Sequence, residues 1–268
     1  MLKQTALSVL LSGVFVILAP LAFAEYLDIN DLKTACSNDN GEACMQAGNY
    51  FDDLGDYKQA VEYYEKGCFL DSGVSCSNLG AHYGKGLGVE QDAKQANLYY
   101  GKGCLLEDGH ACSNLGHNYA DGRGTKQDFL KANKYLDIAC AKDVGVACNK
   151  LGYHYYAGLG VSKNFEKALE YIGKGCDLDT GTACNNMGIF YEQGEVVPAD
   201  QLKSCQYFEK ACGLDEPKAC SSAGFCYYKG KGGTADLNKA LKFFEAACNA
   251  GEQSSCQNLD ILRNSNRK

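Results

Sequence analysis

Fourteen of the sixteen cysteines of this chain form pairs eight residues apart: Cys36 and Cys44, Cys68 and Cys76, Cys104 and Cys112, Cys140 and Cys148, Cys176 and Cys184, Cys212 and Cys220, and Cys248 and Cys256. Successive pairs begin 36 residues apart, except for a first step of 32. A fixed period in this range is the mark of a solenoid, in which each small unit buries its apolar face only against its neighbours.

Aligned on the cysteines, the units read as one template. Ser75-Cys76-Ser77-Asn78-Leu79-Gly80 recurs as Ala111-Cys112-Ser113-Asn114-Leu115-Gly116 and as Ala147-Cys148-Asn149-Lys150-Leu151-Gly152. An aromatic residue follows three after each Gly (Phe51, Tyr83, Tyr119, Tyr155, Tyr191, Tyr227), and a Gly-rich turn such as Gly86-Leu87-Gly88 comes next. A second helix is announced by an Asx residue four before a small one: Asp56 and Ala60, Asp92 and Ala96, Asp128 and Ala132, Asn164 and Ala168, Asp200 and Ser204, Asp236 and Ala240. Asp or Asn there can accept the free N–H groups of a first helical turn. Pro217 suits the first turn of another helix, because its missing N–H costs nothing there. Each unit is therefore expected to be helix A, a turn, helix B and a short connector. The recurring Gly (48, 80, 116, 152, 188, 224) lets the two helices approach, and the aromatic series at fixed phase reads as core.

The first 24 residues stand apart. Met1-Leu2-Lys3 is a short positive start, Leu7 to Phe23 is almost wholly apolar, and Ala22-Phe23-Ala24 is a small-x-small pattern. This reads as a cleavable signal peptide over 1–24, with the mature chain starting at Glu25 and no stable membrane insertion afterwards. The expected organisation is an N-terminal capping helix and connector over 25–42, six repeats over 43–254, and a C-terminal capping helix and tail over 255–268. With 26 Lys+Arg against 33 Asp+Glu and no basic cluster, nucleic acid is not an expected partner.

Sixteen cysteines behind an export signal imply an oxidising compartment, secreted or periplasmic, and a disulfide framework. The cysteine ending helix B and the one opening the next helix A can meet across the connector. Such a bridge stabilises by about 2.5 kcal/mol on the loop-entropy argument. Zinc sites favour closer cysteines, often with His, so neither a metal nor another cofactor is expected. Cys205 and Cys226 stand outside the series, near the same height on the two helices flanking one connector. They are either an eighth bridge or a pair of buried or redox-active thiols.

The run Asn78-Leu79-Gly80-x-x-Tyr83-x-x-Gly86-x-Gly88-Val89, closed by Tyr99-Tyr100-Gly101-Lys102-Gly103-Cys104, resembles the Sel1-like repeat, a relative of the tetratricopeptide repeat with a longer inter-helix turn. The shortened first unit, Tyr50-Phe51-Asp52-Asp53-Leu54-Gly55-Asp56-Tyr57, is similar to the tetratricopeptide form itself. With cysteine pairs and a signal peptide, the whole mature chain resembles the Helicobacter cysteine-rich protein (Hcp) family. That resemblance implies an all-α fold, a right-handed α/α solenoid of disulfide-bridged helix pairs. It also implies penicillin binding with weak β-lactamase activity, hence a β-lactam or peptidoglycan-derived ligand as the alternative to a protein or peptide.

The residues themselves show no catalytic set. The Ser-x-x-Lys match at Ser265–Lys268 lies at the chain end, and Ser-Asp-Asn and Lys-Thr-Gly are missing. His82, His110, His117 and His154 make no metal-binding pattern, and His82 and His154 read as surface or packing residues two repeats apart. Function is expected instead in the concave groove of a monomer, lined by helices A. Resemblance to the tetratricopeptide groove places ligand-gripping amides at Asn78, Asn114 and Asn186, with Lys150 in the fourth unit. One turn along the same face stand Asn49, His117, Tyr153, Ile189 and Phe225, joined by Asp52, Tyr156, Glu192 and Tyr228. The groove is expected to be acidic at one end (Asp52, Asp53) and aromatic at the other (Tyr153, Tyr156, Phe225, Tyr228).

Overall fold

The computed structural model describes residues 28–265; the expected signal peptide lies outside them. Fourteen helices and no strand are found among the described residues: α1 (Ile29–Ser37), α2 (Gly41–Asp53), α3 (Tyr57–Phe69), α4 (Gly73–Lys85), α5 (Ala93–Leu105), α6 (Gly109–Asp121), α7 (Phe129–Ala141), α8 (Gly145–Ala157), α9 (Phe165–Asp177), α10 (Gly181–Gln193), α11 (Gln201–Gly213), α12 (Pro217–Lys229), α13 (Leu237–Asn249) and α14 (Gln253–Ser265). None is long and apolar enough to cross a membrane.

Each helix B begins where the spacing predicts. Asp56, Asp92, Asp128, Asn164, Asp200 and Asp236 each accept a first-turn backbone N–H, and Pro217 opens α12. The connectors hold a signal not read from the sequence. Asp39, Asp71, Glu107, Asp143, Asp179 and Asp215, three residues after the first cysteine of each pair, adopt positive φ, and Gly251 does so in the last connector. Asp tolerates this region better than most residues, because its short polar side chain bonds locally.

The reversal brings the two cysteines of every regular pair to 4.5–4.7 Å between Cα atoms. All seven pairs are bridged: Cys36 with Cys44, Cys68 with Cys76, Cys104 with Cys112, Cys140 with Cys148, Cys176 with Cys184, Cys212 with Cys220, and Cys248 with Cys256. The helix-A partners Cys44, Cys76, Cys112, Cys148 and Cys184 are wholly buried, so these bridges are part of the core that joins one unit to the next. Cys205 and Cys226 form the eighth bridge, at 5.8 Å between Cα atoms, and no free cysteine remains among the described residues.

Within a unit, helix A receives helix B as a hole receives a knob. The helix-A glycines face Tyr64, Tyr100, Leu136, Ile172, Phe208 and Phe244, so a Cβ on Gly188 would stand 2.6 Å from the Phe208 ring. The aromatic series is half-buried, not core, apart from Phe51. Each member stacks on a helix-B ring, from Phe51–Tyr63 at 5.5 Å to Tyr227–Phe243 at 5.6 Å between centroids.

Between units, lysines tie one helix B to the last. Lys102, Lys174 and Lys210 donate to the carbonyls of Cys68, Cys140 and Cys176 (2.6–2.8 Å) and pair with Asp71, Asp143 and Asp179. Each ammonium thus caps the negative end of the preceding helix. Helices A of neighbouring units also touch (α2 with α4, α4 with α6, α6 with α8, α8 with α10). Beyond the α1–α3 cap, helices B stand farther apart. Up to α10 the stack therefore curves with helices A on its inner face.

Candidate functional site: the inner groove

The groove asparagines do not behave alike. Asn78 donates to Asn49 Oδ1 (3.1 Å), which also accepts the Tyr64 hydroxyl (2.7 Å). Asn186 donates to Asn149 Oδ1 (2.9 Å), and Asn149 reaches Thr182. These two amides serve contacts between helices A. Asn114 makes no hydrogen bond to any described residue. It lines a depression of about 400 Å³ between α4, α5 and α6, together with Lys85, Ser113, His117, Asp121 and Val146. Lys150, its counterpart in the next unit, faces Asp121 at 3.9 Å. Lys85, Ser113 and Val146 were not expected there. Ser113 and Val146 sit one and four residues before the Asn114 position and its equivalent, where only a three-dimensional stack shows that they share a wall.

His82 and His154 are packed inside, whereas His110 is exposed. His82 places Nδ1 at 2.9 Å from the Leu87 carbonyl and Nε2 at 3.3 Å from Asp52. His154, at the same repeat position, meets Asn133 Oδ1 at 2.6 Å, and the Asn133 amide is committed to the Leu159 carbonyl. Asn133 therefore presents an acceptor, and His154 Nδ1 carries the proton. Burial, helped by the nearby Lys150, lowers the His154 pKa to about 4, so the ring is neutral at pH 7. Burial also lowers that of His117, whose Nδ1 bonds the Ser113 carbonyl at 2.8 Å.

The aromatic residues expected in the groove differ in exposure. Tyr153 is 49% exposed, Tyr228 46% and Phe225 37%. Phe225 is anchored edge-on against Phe244 at 5.0 Å. Tyr156 is held among Phe165 and Phe190, and its hydroxyl donates to Glu195. Ile189 is half-buried, and Glu192 takes Lys231 at 2.7 Å. Tyr153 and Tyr228 are thus the groove aromatics that the fold leaves most open. No group of three or more His, Cys, Asp and Glu suited to a metal occurs among the described residues. Lys268 of the Ser-x-x-Lys match lies outside them.

Comparison with known proteins places this groove in context. Over residues 41–72 the chain matches the tetratricopeptide repeat. A 52-residue stretch is 40% identical to HcpD of Helicobacter pylori, whose name gives β-lactamase as a provisional assignment. That stretch is 19% of this chain and 17% of the relative, so the chain spans only a small part of it. The crystal structure of a Sel1 repeat protein from Oxalobacter formigenes superposes with a TM-score of 0.71 at 26% identity, covering 81% of this chain and 86% of that one. A protective antigen of uropathogenic Escherichia coli, c5321, shares the fold (TM-score 0.68, 21% identity, 88% of this chain and 59% of that one). The Sel1 repeat model matches five consecutive segments, 73–108, 109–144, 145–179, 181–215 and 217–252, most of the solenoid, and the chain belongs to the Sel1 repeat family.

Proposed function

We propose that the chain is an exported scaffold that holds an extended protein or peptide segment along its inner groove. One observation carries the reading: Tyr153, Phe225 and Tyr228 stand 37–49% exposed on helices α8 and α12 of an otherwise well-packed stack. Large aromatic rings that lose little entropy on contact are the usual anchors of an interface. The uncommitted Asn114 amide, three units before Phe225 and Tyr228, offers both a donor and an acceptor to a passing backbone. A ligand spanning both would carry apolar side chains toward the C-terminal half and present main-chain amides near α6.

Eight bridges among the described residues, with no free cysteine, fit an oxidising compartment outside the cytoplasm. Peptides selected against the oxidised protein from a random displayed library test the reading. Replacing Tyr153 and Tyr228 together by Ala should weaken selected peptides by about tenfold or more, as loss of interface anchors does. Peptides that bind the double variant as tightly as the wild type would sink the groove reading.

A further inference from the structure

The α12–α13 turn reads Gly230-Lys231-Gly232-Gly233-Thr234-Ala235-Asp236. At the position of Gly233 the earlier units carry Val89, Thr125, Val161 and Val197, and Val89 and Val197 pack onto the core. A Cβ on Gly233 would have nothing within 4 Å. Beside this turn lies a cavity of about 430 Å³, walled by Leu202, Cys205, Glu209, Cys226, Tyr227 and Thr234. Both halves of the Cys205–Cys226 disulfide therefore face the cavity, and the Gly232 backbone rests against Cys205. Among the described residues that wall it, Glu209 is the one acidic side chain; it accepts the Tyr227 hydroxyl, to which Lys239 donates at 3.3 Å.

We propose that Cys205–Cys226 is a thiol-exchange site whose pocket admits small, positively charged thiols. A thiolate needs room to approach a bridge sulfur, and this cavity supplies it. The carboxylate of Glu209 favours an ammonium group on the incoming molecule and disfavours an anionic one. In the exchange the thiolate sulfur bonds to one cysteine sulfur, and the electron pair of the old S–S bond leaves on the other. That second sulfur takes up the proton the small thiol gave up. The products are one mixed disulfide and one cysteine thiol; a second thiol molecule would carry off the first as its symmetrical disulfide and leave both cysteines reduced. Throughout, Cys212–Cys220 keeps α11 and α12 clamped, so the exchange opens the pocket without separating the helices.

The test exposes the oxidised full chain briefly to cysteamine or to 2-mercaptoethanesulfonate, traps free thiols by alkylation and maps adducts by mass spectrometry. Cys248–Cys256, in the last connector, is the internal reference for each thiol's own reactivity. Relative to that reference, cysteamine should modify Cys205 or Cys226 about fivefold faster than the sulfonate, the span of one partly solvated charge pair. Glu209→Gln should erase the preference. Gly232→Ala, whose added methyl would stand 3.2 Å from Cys205 Cβ and 3.4 Å from its Sγ, should slow both thiols at this bridge and leave the reference rate unchanged. Reaction at Cys248–Cys256 with none at Cys205–Cys226, or rates at Cys205–Cys226 indifferent to both variants, would overturn the proposal.

Discussion

The N-terminal and C-terminal halves of the solenoid share a frame and differ on its inner face. Gly80 against Tyr100 and Gly188 against Phe208 are the same knob and hole. At the groove, however, the N-terminal units turn their polar side chains on each other: Tyr64 and Asn78 on Asn49, His82 on Asp52. The C-terminal units present Tyr153, Phe225 and Tyr228, which the frame does not use up. Positions that build the stack are committed to it in both halves, so specificity resides where side chains are left over.

The shared frame is the first thing to break. Gly80→Val and Gly188→Val each push a branched side chain into a buried ring, so each should cost about 3 kcal/mol, read as a lower urea midpoint at unchanged slope. Equal losses mean that the two halves are held alike. A loss at one position only would show that the halves are packed differently and would undo the comparison.

The second break uses the equivalent histidines. His154 is 1% exposed, and its pKa of about 4 lies below the ordinary value of 6.5. Below pH 6.5 the unfolded chain therefore binds a proton that the folded chain refuses until about pH 4. Stability from this site is fully present above pH 6.5 and drains away as pH falls between those values, by about 3 kcal/mol in all. The groups facing the ring are Asn133 and Phe129 of α7, His117 and Asp121 of α6, and Lys150 of its own helix. His154→Gln should flatten the difference in urea midpoint between pH 7 and pH 4.5 relative to wild type. An unchanged difference would show that the ring charges without penalty.

Much of this frame is legible in the sequence, and the reason is physical. A disulfide such as Cys36 to Cys44 or Cys176 to Cys184, an N-cap and a knob-and-hole each need a particular residue type at a fixed phase, so repetition exposes them. The capping lysines and the connector Asp residues repeat too, but Ile138 interrupts the first series and Glu107 the second, which blurs both. The groove is less legible. Asn78, Asn114 and Asn186 look equivalent, and only their neighbours decide which amide is free: Asn49 and Asn149 occupy two of them, and no described residue occupies Asn114.

The third break follows from that distinction. Asn114→Ala should weaken a groove-bound peptide by about 1 kcal/mol with little change in stability, the worth of one hydrogen bond. Asn78→Ala should do the reverse, lowering stability by a similar amount while the peptide binds as before. Calorimetric titration and urea midpoints on the same two variants decide it; parallel effects on binding and stability would mean that the two amides have the same role.

The smallest effect concerns the one place where the C-terminal half departs from the frame to its own cost. Five of the six small residues that seat helix B against helix A are alanines, Ala60, Ala96, Ala132, Ala168 and Ala240, each fully buried or nearly so. Ser204 fills the sixth, is 1% exposed, and its hydroxyl finds no partner among the described residues. A buried hydroxyl without a hydrogen bond forfeits what it had from water, about 1 kcal/mol or somewhat more. Ser204→Ala removes that group, raises helix propensity and adopts the residue that the other five units carry. It should therefore stabilise the chain by about 1 kcal/mol, visible as a higher urea midpoint in the oxidised protein. A neutral or destabilising result would mean that the hydroxyl has a partner in solution.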